Sequence, residues 1–134
     1  MKIVQHLGQS DFVYQNIGPF AMNGKVISEF KRYPLLTSEN HTWFFAMEGE
    51  QVLGFAAIEK KGNNATFLND YTLPKNRKKG IHKKLIQARL KFAKKQKIKH
   101  LVADCTQPCL NQYTKAGFSV AKQYVQWTKV EKSL

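Results

Sequence analysis

The sequence predicts a mixed α/β domain, with a mostly antiparallel central sheet of about six to seven strands flanked by helices. Three observations carry this prediction. Between Thr42 and Leu73, three runs rich in β-branched and aromatic residues follow one another, separated by Glu48-Gly49-Glu50 and by Lys61-Gly62-Asn63-Asn64, which marks an antiparallel meander. Ile81, Leu85, Ala88 and Phe92 then recur at helical spacing. Beyond that helix the chain alternates again, with a short strand from His100 to Asp104, a helix from Gln107 to Ala116, and strands over Phe118–Gln123 and Tyr124–Glu131.

With 134 residues and 43% hydrophobic content, the chain is long enough for one real core and too short for two, so residues 1–134 read as a single domain. Met1 to Gly8 holds no apolar run of signal-peptide length, and no window approaches the ~20 apolar residues of a membrane span. A cytoplasmic protein without a membrane partner is expected. The two cysteines, Cys105 and Cys109, flank Pro108 and lack a second pair, which fits neither a zinc framework nor a disulfide scaffold even with His100 nearby. No metal is expected.

The elements before the meander follow from local signals. Ile3 to Leu7 reads as an edge strand. Ser10-Asp11 is a suitable N-cap for a helix through Phe12, Val13 and Ile17 that ends near Gly18-Pro19. A second helix, Lys25 to Tyr33, points Val26, Ile27 and Phe30 inward and stops before Pro34.

The strand Ala65–Leu73 stops at Pro74, which has no N–H to donate to a ladder. A tight basic turn follows, and Gly80 sits immediately before the long helix, so backbone N–H groups and a helix N-terminus converge on one point. That is a place to hold a phosphate, and Arg77, Lys78, Lys79, Lys83 and Lys84 surround it. The charge distribution agrees. The formal net charge is +13, yet between Lys75 and Lys99 there are twelve Lys or Arg and no acid, while the rest of the chain has ten basic and nine acidic residues. On a helical wheel Lys83, Lys84, Lys91, Lys94 and Lys95 gather with Gln87 opposite the apolar face. This face reads as a solvated helix back, as a field that attracts an anionic cofactor, or as a contact for nucleic acid or ribosome.

Arg77-Lys-Lys-Gly-Ile-His82 resembles the pyrophosphate loop of the GNAT (N-acetyltransferase) superfamily, usually written Gln/Arg-x-x-Gly-x-Gly/Ala, and lies as in that family between the fourth strand and its following helix. His82 departs from the pattern by standing where a second small residue is usual. Tyr113-Thr-Lys-Ala-Gly117-Phe118 is similar to the family's Tyr-x-Lys-x-Gly-Phe signature, at the expected distance after a short strand. The resemblance covers about Val52 to Phe118.

It implies a GNAT-like fold and an acyl-CoA-dependent N-acetyltransferase that moves an acetyl group from acetyl-CoA to a primary amine by direct attack. By the same resemblance, main-chain groups of Asp70, Tyr71 and Thr72 would bind the pantetheine arm and thioester carbonyl. Arg77, Lys78, Lys79, Gly80, Ile81, His82 and Lys83 would take the pyrophosphate, and Phe20 and Met22 would line the acceptor pocket or simply pack. Tyr113 would give a proton to the departing thiolate, or pack beside the sulfur. For the base, strand alternation puts Thr66, Leu68, Asp70 and Thr72 on one face, where Asp70 is the only carboxylate. Asp70 is therefore the candidate, against a simple pairing with the Arg77–Lys79 turn, and Asp104 and His82 are alternates. The acceptor amine, small molecule or protein, is open, as is oligomeric state, a dimer included. The rival reading is a catalytically inactive CoA-fold protein that binds nucleic acid or the ribosome through its lysine-rich helix.

Overall fold

The computed structural model of the protein describes residues 1–8, 10–21, 40–124 and 127–134. Its elements run β1 (Lys2–Leu7), α1 (Asp11–Ala21), β2 (His41–Glu48), β3 (Gln51–Lys61), β4 (Asn64–Thr72), a 3-10 turn (Pro74–Asn76), α2 (Ile81–Lys95), β5 (His100–Cys105), α3 (Gln107–Lys115), β6 (Ser119–Gln123) and β7 (Thr128–Ser133). Among the described residues seven strands form one sheet in the order β1-β2-β3-β4-β5-β7-β6. Every pairing is antiparallel except β4 with β5. The mixed, mostly antiparallel sheet read from the sequence is the sheet observed.

Differences at the ends have local causes. Ser10 does cap α1, its Oγ accepting from Val13 N–H at 3.3 Å. The helix nevertheless continues through Gly18-Pro19 to Ala21. A proline removes one i→i−4 bond, and the burial of Val13 and Ile17 against the sheet holds the preceding turns in place. The last strand begins at Thr128, because Tyr124 bonds back to the Trp127 carbonyl at 2.8 Å and stacks on its ring at 3.8 Å. The helix expected over Lys25–Tyr33 and the side chains of Phe20 and Met22 lie outside the described residues.

Two cores sit on the two faces of the sheet. On one, Phe44, Ala56, Ile58 and Phe67 meet Ile81, Leu85, Ile86 and Ala93 of α2. On the other, Val13 and Ile17 of α1 meet Trp43, Phe45 and Phe55. Gly54 lets the two layers approach, since a Cβ there would lie 2.9 Å from the Tyr71 carbonyl and 3.2 Å from Ile81 Cγ2. The first turn of α2 can thus rest directly over the β3–β4 ladder.

Two irregularities in β4 shape the site. The register runs Ala57↔Leu68 and Phe55↔Tyr71, so Asn69 and Asp70 together oppose Ala56, and Asn69 is left-handed with φ +58°. This is a β-bulge, and it flips the alternation by one residue. Consequently Asp70 joins Phe67 under α2, where both touch Arg89, while Leu68 and Tyr71 pack on the opposite core. The expected sharing of one face by Leu68 and Asp70 is corrected accordingly. Secondly, the parallel ladder ends at Phe67↔Ala103, although β4 continues to Thr72 and β5 to Cys105. The two strands part there, and the gap opens toward the N-termini of α2 and α3.

Candidate active site

A cavity of about 500 Å³ occupies that gap. Asp70, Tyr71 and Thr72 of β4, Arg77, Lys78, Gly80, Ile81 and His82 of the loop and first turn of α2, and Thr106, Cys109 and Gln112 around α3 line it, among others. Of the residues expected to hold the cofactor, Lys79 and Lys83 are exposed and lie off the lining. Asp104, an alternate base, is likewise exposed and off it.

The loop is built to expose main-chain donors. Lys78 has φ +64° and Gly80 has φ +78°, both left-handed, and Gly80 is the N-cap of α2 without any side-chain cap bond. Among the described residues, nothing beyond the chain neighbours lies within 4 Å of where a Gly80 Cβ would stand. The first N–H groups of α2 carry no side-chain cap, and Gly80, Ile81 and His82 lie on the cavity lining with Arg77 and Lys78, with the positive end of the helix dipole behind them. Lys78, a non-glycine residue held left-handed, is backbone strain of a kind that concentrates at ligand sites. Arg77 Nε donates to the Thr72 carbonyl at 3.0 Å, which fixes the turn and removes that carbonyl from the free main-chain groups of β4. The Asp70 carboxylate does not pair with the Arg77–Lys79 turn.

Asp70 is held elsewhere. Arg89, fully buried on α2, donates from Nη1 to Oδ1 at 2.8 Å and from Nη2 to Oδ2 at 2.9 Å, a bidentate pair. Arg89 also donates to the Ala57 carbonyl at 3.1 Å and lies 4.2 Å over the Phe67 ring. His82 Nε2 is 2.7 Å from Asp70 Oδ2, and the Tyr113 hydroxyl donates to the same oxygen. Burial alone would raise the Asp70 carboxyl, but the Arg89 guanidinium and the His82 hydrogen bond outweigh it and hold its pKa at about 2. Burial pushes the Tyr113 phenol upward, and the neighbouring carboxylate adds to this against Arg89, so the phenol is a weaker acid than usual.

Sequence reasoning missed Arg89 by counting it with the basic run. The signal was present: Arg89 follows Leu85 by four residues and precedes Ala93 by four, on the apolar stripe of α2. A cation there requires a buried acid, and Asp70 is the lone carboxylate of β4. The remaining lysines behave as read, with Lys83, Lys84, Gln87, Lys91, Lys94 and Lys95 all exposed. Phe92 packs on Phe44 at 5.7 Å and offers no stacking platform to that face.

The Tyr113 signature has a structural cause. Phe118 N–H bonds the Tyr113 carbonyl at 3.1 Å and Gly117 N–H bonds that of Thr114 at 3.1 Å, with Gly117 at φ +96°. These are the two bonds of a Schellman cap, which needs a glycine and buries the following Phe118 against Tyr113, ring centroids 5.1 Å apart. Tyr113 itself is only 2% exposed and off the cavity lining. Tyr113→Phe keeps this packing and deletes the hydroxyl's bond to the Asp70 carboxylate together with its long contact from Arg89 Nη2, so it should lower unfolding stability by roughly 1.5–3 kcal/mol, read by urea titration.

Over residues 11–118 the sequence matches the model of the acetyltransferase (GNAT) family. The chain belongs to the GNAT acetyltransferase family. Among curated proteins, no sequence matches it significantly. Solved structures resemble its fold. The ribosomal-protein-S18-alanine N-acetyltransferase from Escherichia coli has a TM-score of 0.75 at 12% identity, covering 97% of this chain and 91% of its own. The PaiA N-acetyltransferase from Thermoplasma acidophilum, in complex with coenzyme A, has a TM-score of 0.69 at 19% identity over 100% of both chains. A Bacillus subtilis acetyltransferase in complex with CoA has a TM-score of 0.72 at 17% identity, over 99% of each. This GNAT chain thus shares the fold of these acetyltransferases in its described residues. No helix among its described residues is long and apolar enough to cross a membrane.

Proposed function

We propose that this GNAT protein transfers an acetyl group from acetyl-CoA to a primary amine by direct attack, with the donor seated in the cavity between β4 and β5. The observation that carries the reading is the uncapped N-terminus of α2 behind left-handed Gly80, opening on that cavity beside Arg77 and Lys78. The lining fits such a ligand in a second respect. Asn76 is 6% exposed and its Nδ2 is buried with no hydrogen-bond partner among the described residues, a donor left for an oxygen or carbonyl of something bound.

In this reading Gly80, Ile81 and His82 offer backbone N–H groups to the diphosphate, while Arg77 and Lys78 supply charge. Tyr71 and Thr72 line the path of the pantetheine arm. Lys79 and Lys83 contribute only through the field. Bound acetyl-CoA supplies the activated carbonyl and the thiolate leaving group. The chain supplies position, since holding both reactants in register replaces a bimolecular encounter. Asp70, proposed from the sequence as the base, is better supported as an anchor, because a carboxyl near pKa 2 with both oxygens engaged has little affinity for a proton.

Calorimetric titration with acetyl-CoA, at low and at physiological salt, tests this. Saturable binding that weakens with salt and disappears for acetyl-pantetheine, which lacks the diphosphate, is the expected result. Equal binding of acetyl-pantetheine would remove the loop assignment. Thiol release in the presence of an Ala-initiated peptide, spermidine or an aminoglycoside then identifies the amine.

A further inference from the structure

His82 departs from the family's loop pattern, and its surroundings show what the departure adds. Its ring sits at the second position of α2, on the cavity lining, with a side chain 12% exposed. The ring nitrogens face two different worlds. Nε2 points inward to Asp70 Oδ2 at 2.7 Å, while Nδ1 meets the Oε1 of Gln112, an exposed residue of α3 on the same lining. The ring centroid lies 5.5 Å from that of Tyr113.

We propose that His82 is the proton shuttle of the transfer, its Nδ1 taking a proton from the attacking amine and returning it to the departing thiolate. The proposal rests on the acetyl-CoA reading above and names a residue for a step which that reading leaves open. The balance is simple. One N–C bond forms, one C–S bond breaks, one proton moves from nitrogen to sulfur, and the imidazole ends as it began.

Four features support the assignment. An ionised carboxylate at Nε2 requires a proton there, and at Nδ1 the Gln112 amide can present its oxygen to a protonated ring or its N–H₂ to a free one, so Nδ1 is the nitrogen where a proton comes and goes. Asp70 is itself fixed by the bidentate Arg89, so the chain Arg89–Asp70–His82 holds the ring's orientation from the core outward. Gln112 is exposed on the same lining, so its amide has room to turn away from Nδ1 toward solvent. Finally, the two competing groups are spent: Tyr113 is buried, off the lining and bonded to Asp70, and Asp70 is saturated. The charged and titratable groups that touch the ring or share its lining or cluster are Asp70 of β4, Arg77 and Lys78 of the loop, Arg89 of α2, and Cys109 and Tyr113 of α3.

A test that needs no acceptor follows the thiol of bound CoA. The thiolate absorbs in the ultraviolet, so a pH titration of the CoA complex, with the desulfo-CoA complex as blank, reads the acidity of the sulfur in place. If Nδ1 faces the sulfur, a thiolate–imidazolium pair forms, and the thiol should titrate about one pH unit, or tenfold, lower in the wild type than in His82→Asn or His82→Gln. Equal titration in the wild type and in a variant that binds CoA would overturn the shuttle and leave the cofactor reading standing. Absence of CoA binding by the wild type would overturn both. A second measurement uses the wild type alone: the His82 Nδ1 resonance should differ between CoA and desulfo-CoA complexes, and identical shifts would overturn the proposal even if both variants misfold.

Discussion

Replacing Asp70 by asparagine should destabilise the protein by about 3–5 kcal/mol, a large share of the roughly 5–15 kcal/mol that holds a domain of this size together. The reason lies with Arg89. Its guanidinium is fully buried and bonded through Nη1 and Nη2 to the two carboxylate oxygens. Asparagine keeps the shape but turns an N–H₂ toward a donor, and the charge of Arg89 is left uncompensated. Arg89→Met should also destabilise when made alone, by stranding the carboxylate. The double variant Asp70→Asn/Arg89→Met should lose less than the sum, because it removes both ions and leaves a neutral, unbranched apolar side chain on the apolar face of α2. Denaturant titration of the four proteins gives the coupling directly, and additive losses would show that the pair is not the unit described.

The same pair predicts a pH dependence. The folded Asp70 pKa, about 2, lies below its ordinary value of 3.8. Its contribution is therefore fully present above about pH 4 and is lost as pH falls through about 2, amounting to roughly 2–3 kcal/mol by linkage. In Asp70→Asn this acid-sensitive increment should be missing, so its stability should fall less steeply than that of the wild type below pH 4.

How much of this was readable beforehand depends on whether the signal is local. The meander was legible because Gly49 and Gly62, both left-handed, punctuate runs of strand formers. The loop was legible because a phosphate cradle needs a glycine, a helix start and cations within a few consecutive residues. The Tyr113–Phe118 signature was legible because a Schellman cap is written in six residues. The position of Asp70 was not, since alternation along β4 fails at Asn69, and nothing in the sequence around Asn69 distinguishes a bulge from two more paired residues. Arg89 was half legible: its place on the apolar stripe could be counted, but its partner is nineteen residues away on β4, brought under α2 by the bulge. The inner half of the site is a product of tertiary packing, whereas the outer half is a product of backbone conformation.

That contrast shapes the second large effect, at Gly80, where backbone conformation alone makes the site. Gly80→Glu should reduce affinity for acetyl-CoA at least ~100-fold, or ~2.7 kcal/mol, while Gly80→Ala should reduce it far less. Both variants must adopt φ +78° with a Cβ, which strains them equally by roughly 1–2 kcal/mol. Neither meets a steric block, as among the described residues no atom beyond the chain neighbours lies within 4 Å of the new Cβ. What differs is the carboxylate. Glutamate places a tethered anion on the uncapped N–H groups of α2, where it occupies the donors a diphosphate would use and repels the diphosphate as well. The difference between the two variants therefore isolates charge at the helix terminus from strain in the loop. It should shrink as salt is raised, since the repulsion is screened, whereas the strain common to both should not. Equal losses in the two variants, independent of salt, would mean that the anion binds away from Gly80, and the loop would then serve only to set the direction of α2.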